Sequence, residues 1–143
     1  MEAEFDHIAK EYDATFTETT VGRAQRTVVY DLLNECVGDW EVQSILELNC
    51  GTGEDAVYMA KKGARVLATD ISTQMVQVTK NKTQEFPNVE SRVLDINLLE
   101  KLGQKFDVIF SNFGGLNCLK EEEVKQFMIN AHNGLNEGGK LIL

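Results

Sequence analysis

Residues 45 to 53 read Ile45-Leu46-Glu47-Leu48-Asn49-Cys50-Gly51-Thr52-Gly53, and a later apolar run, Ala64-Arg65-Val66-Leu67-Ala68-Thr69-Asp70, ends on an acid. An apolar strand, a glycine turn, a helix, a second strand and a terminal carboxylate make a βαβ unit suited to a nucleoside, with the acid facing a ribose diol. Read literally, Gly51-Thr52-Gly53-Glu54-Asp55-Ala56 also satisfies the dinucleotide fingerprint G-x-G-x-x-G/A, which alone does not discriminate between ligands.

Charge around the turn discriminates. Glu47 precedes it, and Glu54 and Asp55 open the following helix. A pyrophosphate on that helix N-terminus would meet three carboxylates, whereas phosphate sites need donors and positive potential. A ligand with a ribose, no phosphate and positive charge fits better. S-adenosylmethionine, with its ribose diol, ammonium and sulfonium, is such a ligand.

Outward from this unit the pattern is regular. Phe5, Ile8, Ala9, Tyr12 and Phe16 stand at helical spacing over residues 4–16, and Val21, Ala24, Val28, Leu32, Leu33 and Cys36 predict a second helix with these residues on one face. Strand and helix then alternate: a strand near 44–49, a helix from Glu54 to Lys62, a strand at 65–69, and a helix capped by Ser72 and stopped by Pro87. A strand near 89–94, a short helix at 97–102, a strand at 106–111 and a helix from Glu121 to Leu135 follow. Asn136-Glu137-Gly138-Gly139 reads as a turn before a fifth strand, Lys140-Leu141-Ile142-Leu143. Such alternation predicts a doubly wound α/β domain over 41–143, with a mainly parallel sheet of order 3-2-1-4-5, behind a helical cap at 1–40. The last residues stop inside an apolar strand, so the sheet reads as truncated there, with later strands missing. An edge of that kind predicts self-association.

The 143 residues carry a net charge of −9 and an apolar content of 43%, ordinary for one soluble domain. That acidity disfavours nucleic acid and anionic membrane as partners. No apolar run approaches the roughly 18 residues a membrane span needs. Met1-Glu2-Ala3-Glu4 does not read as a secretory leader. Three widely spaced cysteines, Cys36, Cys50 and Cys118, form neither a disulfide framework nor a zinc ribbon and suggest a cytoplasmic setting. Cys50 reads as a small residue in a tight turn. No metal-ligand spacing involves His7 or His132.

Glu47-Leu48-Asn49-Cys50-Gly51-Thr52-Gly53 resembles the first motif, E/D-x-G-x-G-x-G, of class I S-adenosylmethionine-dependent methyltransferases. Val66 to Ser72 with Met75, Leu94-Asp95-Ile96, and Phe106 to Phe113 resemble the family's second, third and fourth motifs. The leader from Phe5-Asp6 to Tyr12-Asp13 is similar to the small-molecule branch of that family. The departure is Asn49, where the family has glycine; asparagine is the side chain next most tolerant of positive φ.

The resemblance implies methyl transfer to a small-molecule acceptor and assigns cofactor contacts. Glu47 would anchor the methionine ammonium, and Gly51 and Gly53, with Asn49 at the altered position, would bring the backbone close. Asp70 would accept the ribose hydroxyls, and Ile71 and Met75 would pack on the adenine. Asp95 would accept its exocyclic amine with Ile96 on the ring face. The Asn112 carbonyl would face the ammonium, and Tyr12 would cap the sulfonium or serve as core packing. No general base is identified; His7 is a candidate only through its place in the leader. Phe110-Ser111-Asn112-Phe113 is not the Asn/Asp-Pro-Pro-aromatic signature of enzymes methylating nucleic acid bases or glutamine. A non-catalytic S-adenosylmethionine-binding module and a nicotinamide-dependent oxidoreductase are the alternatives.

Overall fold

The computed structural model describes residues 8, 9, 11–112 and 114–143; Phe5, His7 and Phe113 lie outside them. Five strands, β1 (Ser44–Leu48), β2 (Arg65–Asp70), β3 (Val89–Val93), β4 (Phe106–Ser111) and β5 (Leu135–Ile142), form one parallel sheet of order β3-β2-β1-β4-β5. The expected order is therefore present. Successive side chains along a strand point to opposite faces, and the sheet builds a core on each. Ile45, Val66, Ala68, Val108 and Phe110 face α1 (Thr20–Val37) and α2 (Glu54–Lys61). Leu46, Leu48, Leu67 and Ile109 face a 3₁₀ segment (Ile96–Leu102) and α4 (Glu121–Gly134), through Leu99, Phe127 and Ala131. Between β2 and β3, α3 (Thr73–Thr83) starts where the Ser72 side chain accepts from the Met75 N–H.

Three expectations are corrected. First, the described part of the leader is not the expected α-helix: it enters a π-helical turn, Asp13–Thr17. Second, α1 buries only part of the face its apolar spacing suggests: of the six residues expected there, Leu33 is buried and Cys36 half-buried, while Ala24 is exposed along with three aliphatics. Val21, Val28 and Leu32 are exposed, and the helix buries Gly22, Leu33 and Val37. Polar and aromatic contacts choose that face. Tyr30 stacks on Tyr58 of α2 with ring centroids 3.7 Å apart, and both Arg26 and Tyr30 reach Asp55. Gly22 passes so close to the Phe16 carbonyl that a β-carbon would collide with it. Third, β5 begins earlier than expected. Phe106 pairs with Leu135 but Val108 with Lys140, so Asn136 to Gly139 bulge out of the strand instead of preceding it. The Asn136 side chain donates to Asp107 across the bulge at 3.0 Å.

The two faces of α1 are separable by measurement. Leu33 is fully buried, and Leu33→Ala should cost about 2–5 kcal/mol of unfolding free energy through lost burial and an unfilled cavity. Val28→Ala, on the exposed face, should stay within about 0.5 kcal/mol. Equal losses from the two variants in urea titrations would show that the aliphatic stripe, and not the Leu33 face, is packed.

Candidate functional site

The loops after β1, β2 and β4 converge at the carboxyl end of the sheet, where the order reverses between β1 and β4. After β1 the backbone turns through left-handed residues: Asn49 at φ 56°, Gly51 at 56° and Gly53 at 85°. Asn49 thus takes the conformation that its place in the turn demands of a non-glycine residue. Its side-chain amide donates to the Ser111 hydroxyl at 3.1 Å and fills the space that a β-carbon on Gly115 would need. The Thr79 hydroxyl of α3 donates to the Gly51 carbonyl at 2.8 Å, and a β-carbon on Gly53 would meet the Thr79 side chain at 2.8 Å. Asp70, at the end of β2, closes the assembly: it accepts from the N–H groups of Gly51 and Ser72, each at 2.9 Å.

These loops enclose a cavity of about 370 Å³. Tyr12, Asn49, Gly51, Asp70, Ile71, Met75, Asp95, Ile96 and Asn112 line it. Two expected residues do not. Gly53 sits behind the turn against Thr79. Glu47 lies beneath the site, paired in register with Ala68 on one side and Phe110 on the other. Asp95 accepts from the Asn97 N–H at 2.9 Å, so this acid both caps the 3₁₀ segment and faces the cavity. Tyr12 lines the cavity and also packs on Phe16, with ring centroids 5.5 Å apart. Burial raises its phenol above the ordinary range; nearby Arg26 opposes this, while Asp13, Asp55 and Asp70 add to it.

The charge argument from the turn needs correction in detail. Glu54 does not face this cavity and pairs with Lys82 at 3.3 Å. Asp55 is buried and accepts from Arg26 Nε at 3.1 Å, the Tyr30 hydroxyl at 2.8 Å and Asn112 Nδ2 at 3.0 Å. The acidity facing the cavity comes from Asp55, Asp70, Asp95 and Glu123, with Arg26 the cation among its lining residues. Arg26, Glu123 and Leu119 escaped the sequence reading, because no local motif ties α1 or the start of α4 to the glycine turn. Cys50 is buried against Thr79, and burial pushes its thiol well above the ordinary range, which suits the packing role. Among the described residues no cluster of His, Cys, Asp and Glu is arranged to hold a metal ion. None of their helices is long and apolar enough to cross a membrane.

Glu47 is the electrostatic outlier. It is 1% exposed, and its Oε2 has no hydrogen-bond partner among the described residues. Burial drives its carboxyl well above the ordinary 4.5, Asp55 and Asp70 add to the shift, and Arg26 opposes it. An orphaned acid under an acidic cavity is set up to meet a cation.

Known proteins of similar sequence and structure identify the family and the fold. A family model described as "Methyltransferase domain" matches residues 45–139. A malonyl-[acyl-carrier protein] O-methyltransferase of Hamiltonella defensa subsp. Acyrthosiphon pisum is 30% identical over 118 residues, covering 82% of this chain and 43% of the relative. A demethylmenaquinone methyltransferase of Tropheryma whipplei is 30% identical over 104 residues, 71% of this chain and 41% of the relative. The chain thus spans less than half the length of these two proteins. In structure it is similar to the DhpI–SAH complex, with a TM-score of 0.73 at 24% identity, covering 96% of this chain and 63% of that one.

The raised Glu47 carboxyl has a pH signature. The folded protein retains a proton that the unfolded chain releases, so the ligand-free protein should lose stability as pH rises from 4.5 towards the raised folded value. Glu47→Gln removes that term. The variant should gain stability relative to the parent at neutral pH, and the gain should shrink towards about pH 4. Urea titrations across that range check it; a gain independent of pH would mean that Glu47 ionises normally in the fold.

Proposed function

The chain belongs to the class I S-adenosylmethionine-dependent methyltransferase family, and from that premise we propose that it binds S-adenosylmethionine in the cavity at the ends of β1, β2 and β4 and directs its methyl group to a small-molecule acceptor. The observation that carries this reading is the cavity's lining. Asp70 stands at its edge on the glycine turn, and among the described lining residues four carboxylates face one cation that already pairs with Asp55. The residues fit the cofactor's chemistry: acceptors for a diol, apolar Ile71, Met75 and Ile96 for a purine, and an unpartnered buried acid for an ammonium. A dinucleotide fits worse, because a diphosphate here would add negative charge to this acidic lining.

Each residue then has a task. Asp70 takes the ribose hydroxyls, with its two backbone bonds fixing the carboxylate plane. Ile71 and Met75 hold one face of the adenine and Ile96 the other, and Asp95 accepts its exocyclic amine. The Asn112 carbonyl holds the ammonium, with Glu47, beneath the cavity lining, reaching it through water, and the Tyr12 ring faces the sulfonium. Asn49, Gly51 and Gly53 keep the turn tight enough for backbone approach. When bound, the cofactor supplies a methyl group on a sulfonium, an already activated leaving group. The chain's contribution is alignment and exclusion of water. The reduced cysteines Cys36, Cys50 and Cys118 favour a cytoplasmic setting. The outer edge of β5, which among the described residues pairs only with β4, is proposed to pair with a second copy of this chain. Sedimentation should then show a dimer that a proline at Lys140 disrupts; a monomer at all concentrations contradicts it.

S-adenosylhomocysteine and S-adenosylmethionine should raise the melting temperature, and NAD and NADP should not. At about 100 times its dissociation constant, a ligand adds about 2.7 kcal/mol of stability. A shift with NAD and none with S-adenosylhomocysteine would overturn the assignment. Assay of methyl transfer by a longer chain containing these residues separates an enzyme from a binding module.

A further inference from the structure

A second cavity, of about 460 Å³, lies between the π-helical turn, α1 and the start of α2. It adjoins the first: Arg26 lines both, and the successive residues Tyr12 and Asp13 face one each. Its described lining has no aliphatic side chain; apart from the Tyr30 ring, it consists of hydroxyl-bearing and charged residues. An acceptor with a long apolar tail finds no matching wall there.

The charges balance in sign, but their pairing is incomplete. Lys82 Nζ lies 2.5 Å from Asp13 and 3.3 Å from Glu54, and Arg26 is taken up by Asp55 at 3.1 Å. Two lining charges are left: the Arg23 guanidinium and the Glu18 carboxylate have no hydrogen-bond or ion-pair partner among the described residues. Thr17, 6% exposed, also lines this cavity. Its hydroxyl lies near the Asp13 carboxylate and helps to lower that acid's pKa, yet it completes no hydrogen bond of good geometry. A buried hydroxyl in that state costs free energy unless something binds it.

A purely anionic ligand would satisfy Arg23 and be repelled by Glu18; a purely cationic one would do the reverse. A ligand bearing both charges satisfies both and can offer a third bond to Thr17. We infer that this second cavity is the methyl-acceptor site and that the acceptor is a small zwitterion, an α-amino acid or a compound with the same ammonium and carboxylate pair. The inference rests on the methyl-transfer reading above. In the transfer, a lone pair on the acceptor's nucleophilic atom forms the bond to the methyl carbon as the carbon–sulfur bond breaks. That bond's electron pair stays on sulfur, giving S-adenosylhomocysteine, and the acceptor's proton leaves to water at the exposed Arg23 side of the cavity.

The test is saturation-transfer NMR on the chain loaded with S-adenosylhomocysteine, screened against the standard α-amino acids. The best binder is then compared with its N-acetyl and methyl-ester derivatives, each lacking one charge. Each derivative should bind at least tenfold more weakly. Arg23→Ala should weaken the amino acid tenfold but leave the ester unchanged, and Glu18→Ala should weaken it tenfold but leave the N-acetyl form unchanged. Both side chains are exposed and lie outside the first cavity, so S-adenosylhomocysteine should bind both variants within about twofold of the parent. A loaded chain that binds no amino acid, or binds the derivatives as well as the parent amino acid, overturns this inference alone. A chain that fails to take up S-adenosylhomocysteine overturns the methyl-transfer reading and this inference with it.

Discussion

The Asp55 carboxylate, 4% exposed, is the point at which three elements meet. It stands in the first turn of α2, takes Arg26 and Tyr30 from α1, and takes the Asn112 side chain from the end of β4. A buried ion pair is weak support for stability in itself, because desolvation offsets the Coulomb gain, but removing one partner strands the other at a cost of about 3–5 kcal/mol. Its consequence here is geometric. With Arg26 and Tyr30 committed to Asp55, α1 has one rotation available, and the Tyr30–Tyr58 stack and the Gly22 approach to Phe16 follow from it. The π-helical turn is tied down separately, by Asp13 to the Thr52 hydroxyl and to Lys82. Together these contacts place the π-helical turn beside the glycine turn, with two adjoining cavities there and Arg26 lining both.

Different electrostatics on the two sides of that wall suit different ligands. On the β1–β4 side, four acids and one cation are found among the described lining residues, and the buried Glu47 lies below. On the α1 side, acids and bases balance and one charge of each sign is left over. Burial makes ionised Glu47 expensive, and the nearby Asp55 and Asp70 add to that cost. A cationic ligand relieves that cost, which is how an energetically poor set of groups becomes a selective site.

Much of this was legible in the sequence, for local reasons. The sheet order followed from buried strands alternating with helices. The turn followed from Gly51 and Gly53, and Asn49 at φ 56° behaves as its short polar side chain allows. Asn49, Gly51, Asp70, Ile71, Met75, Asp95, Ile96 and Asn112 of the first cavity were legible because each follows a strand end closely, whereas Arg26, Leu119 and Glu123 were not. What was not legible depended on partners distant in sequence. Glu54 and Asp55 read as free acids because their cations, Lys82 and Arg26, lie 28 and 29 residues away. The buried face of α1 was misread because Val21, Val28 and Leu32 offer a rival stripe, and a count of aliphatics cannot see a tyrosine stack or an ion pair. The π-helical turn and the β5 bulge have no periodicity to announce them. Arg23 and Glu18 drew no notice, since a lone exposed charge becomes informative only once its neighbours are known to be paired.

The measurement that bears most directly on the central claim is a crystal structure of this chain grown with S-adenosylhomocysteine. It should place the ribose hydroxyls on the two Asp70 carboxylate oxygens, the adenine between Met75 and Ile96, and the amino-acid tail over the glycine turn beside Asn112. A ligand bound elsewhere on the surface, or a nucleoside in this cavity whose ribose does not touch Asp70, would contradict the account.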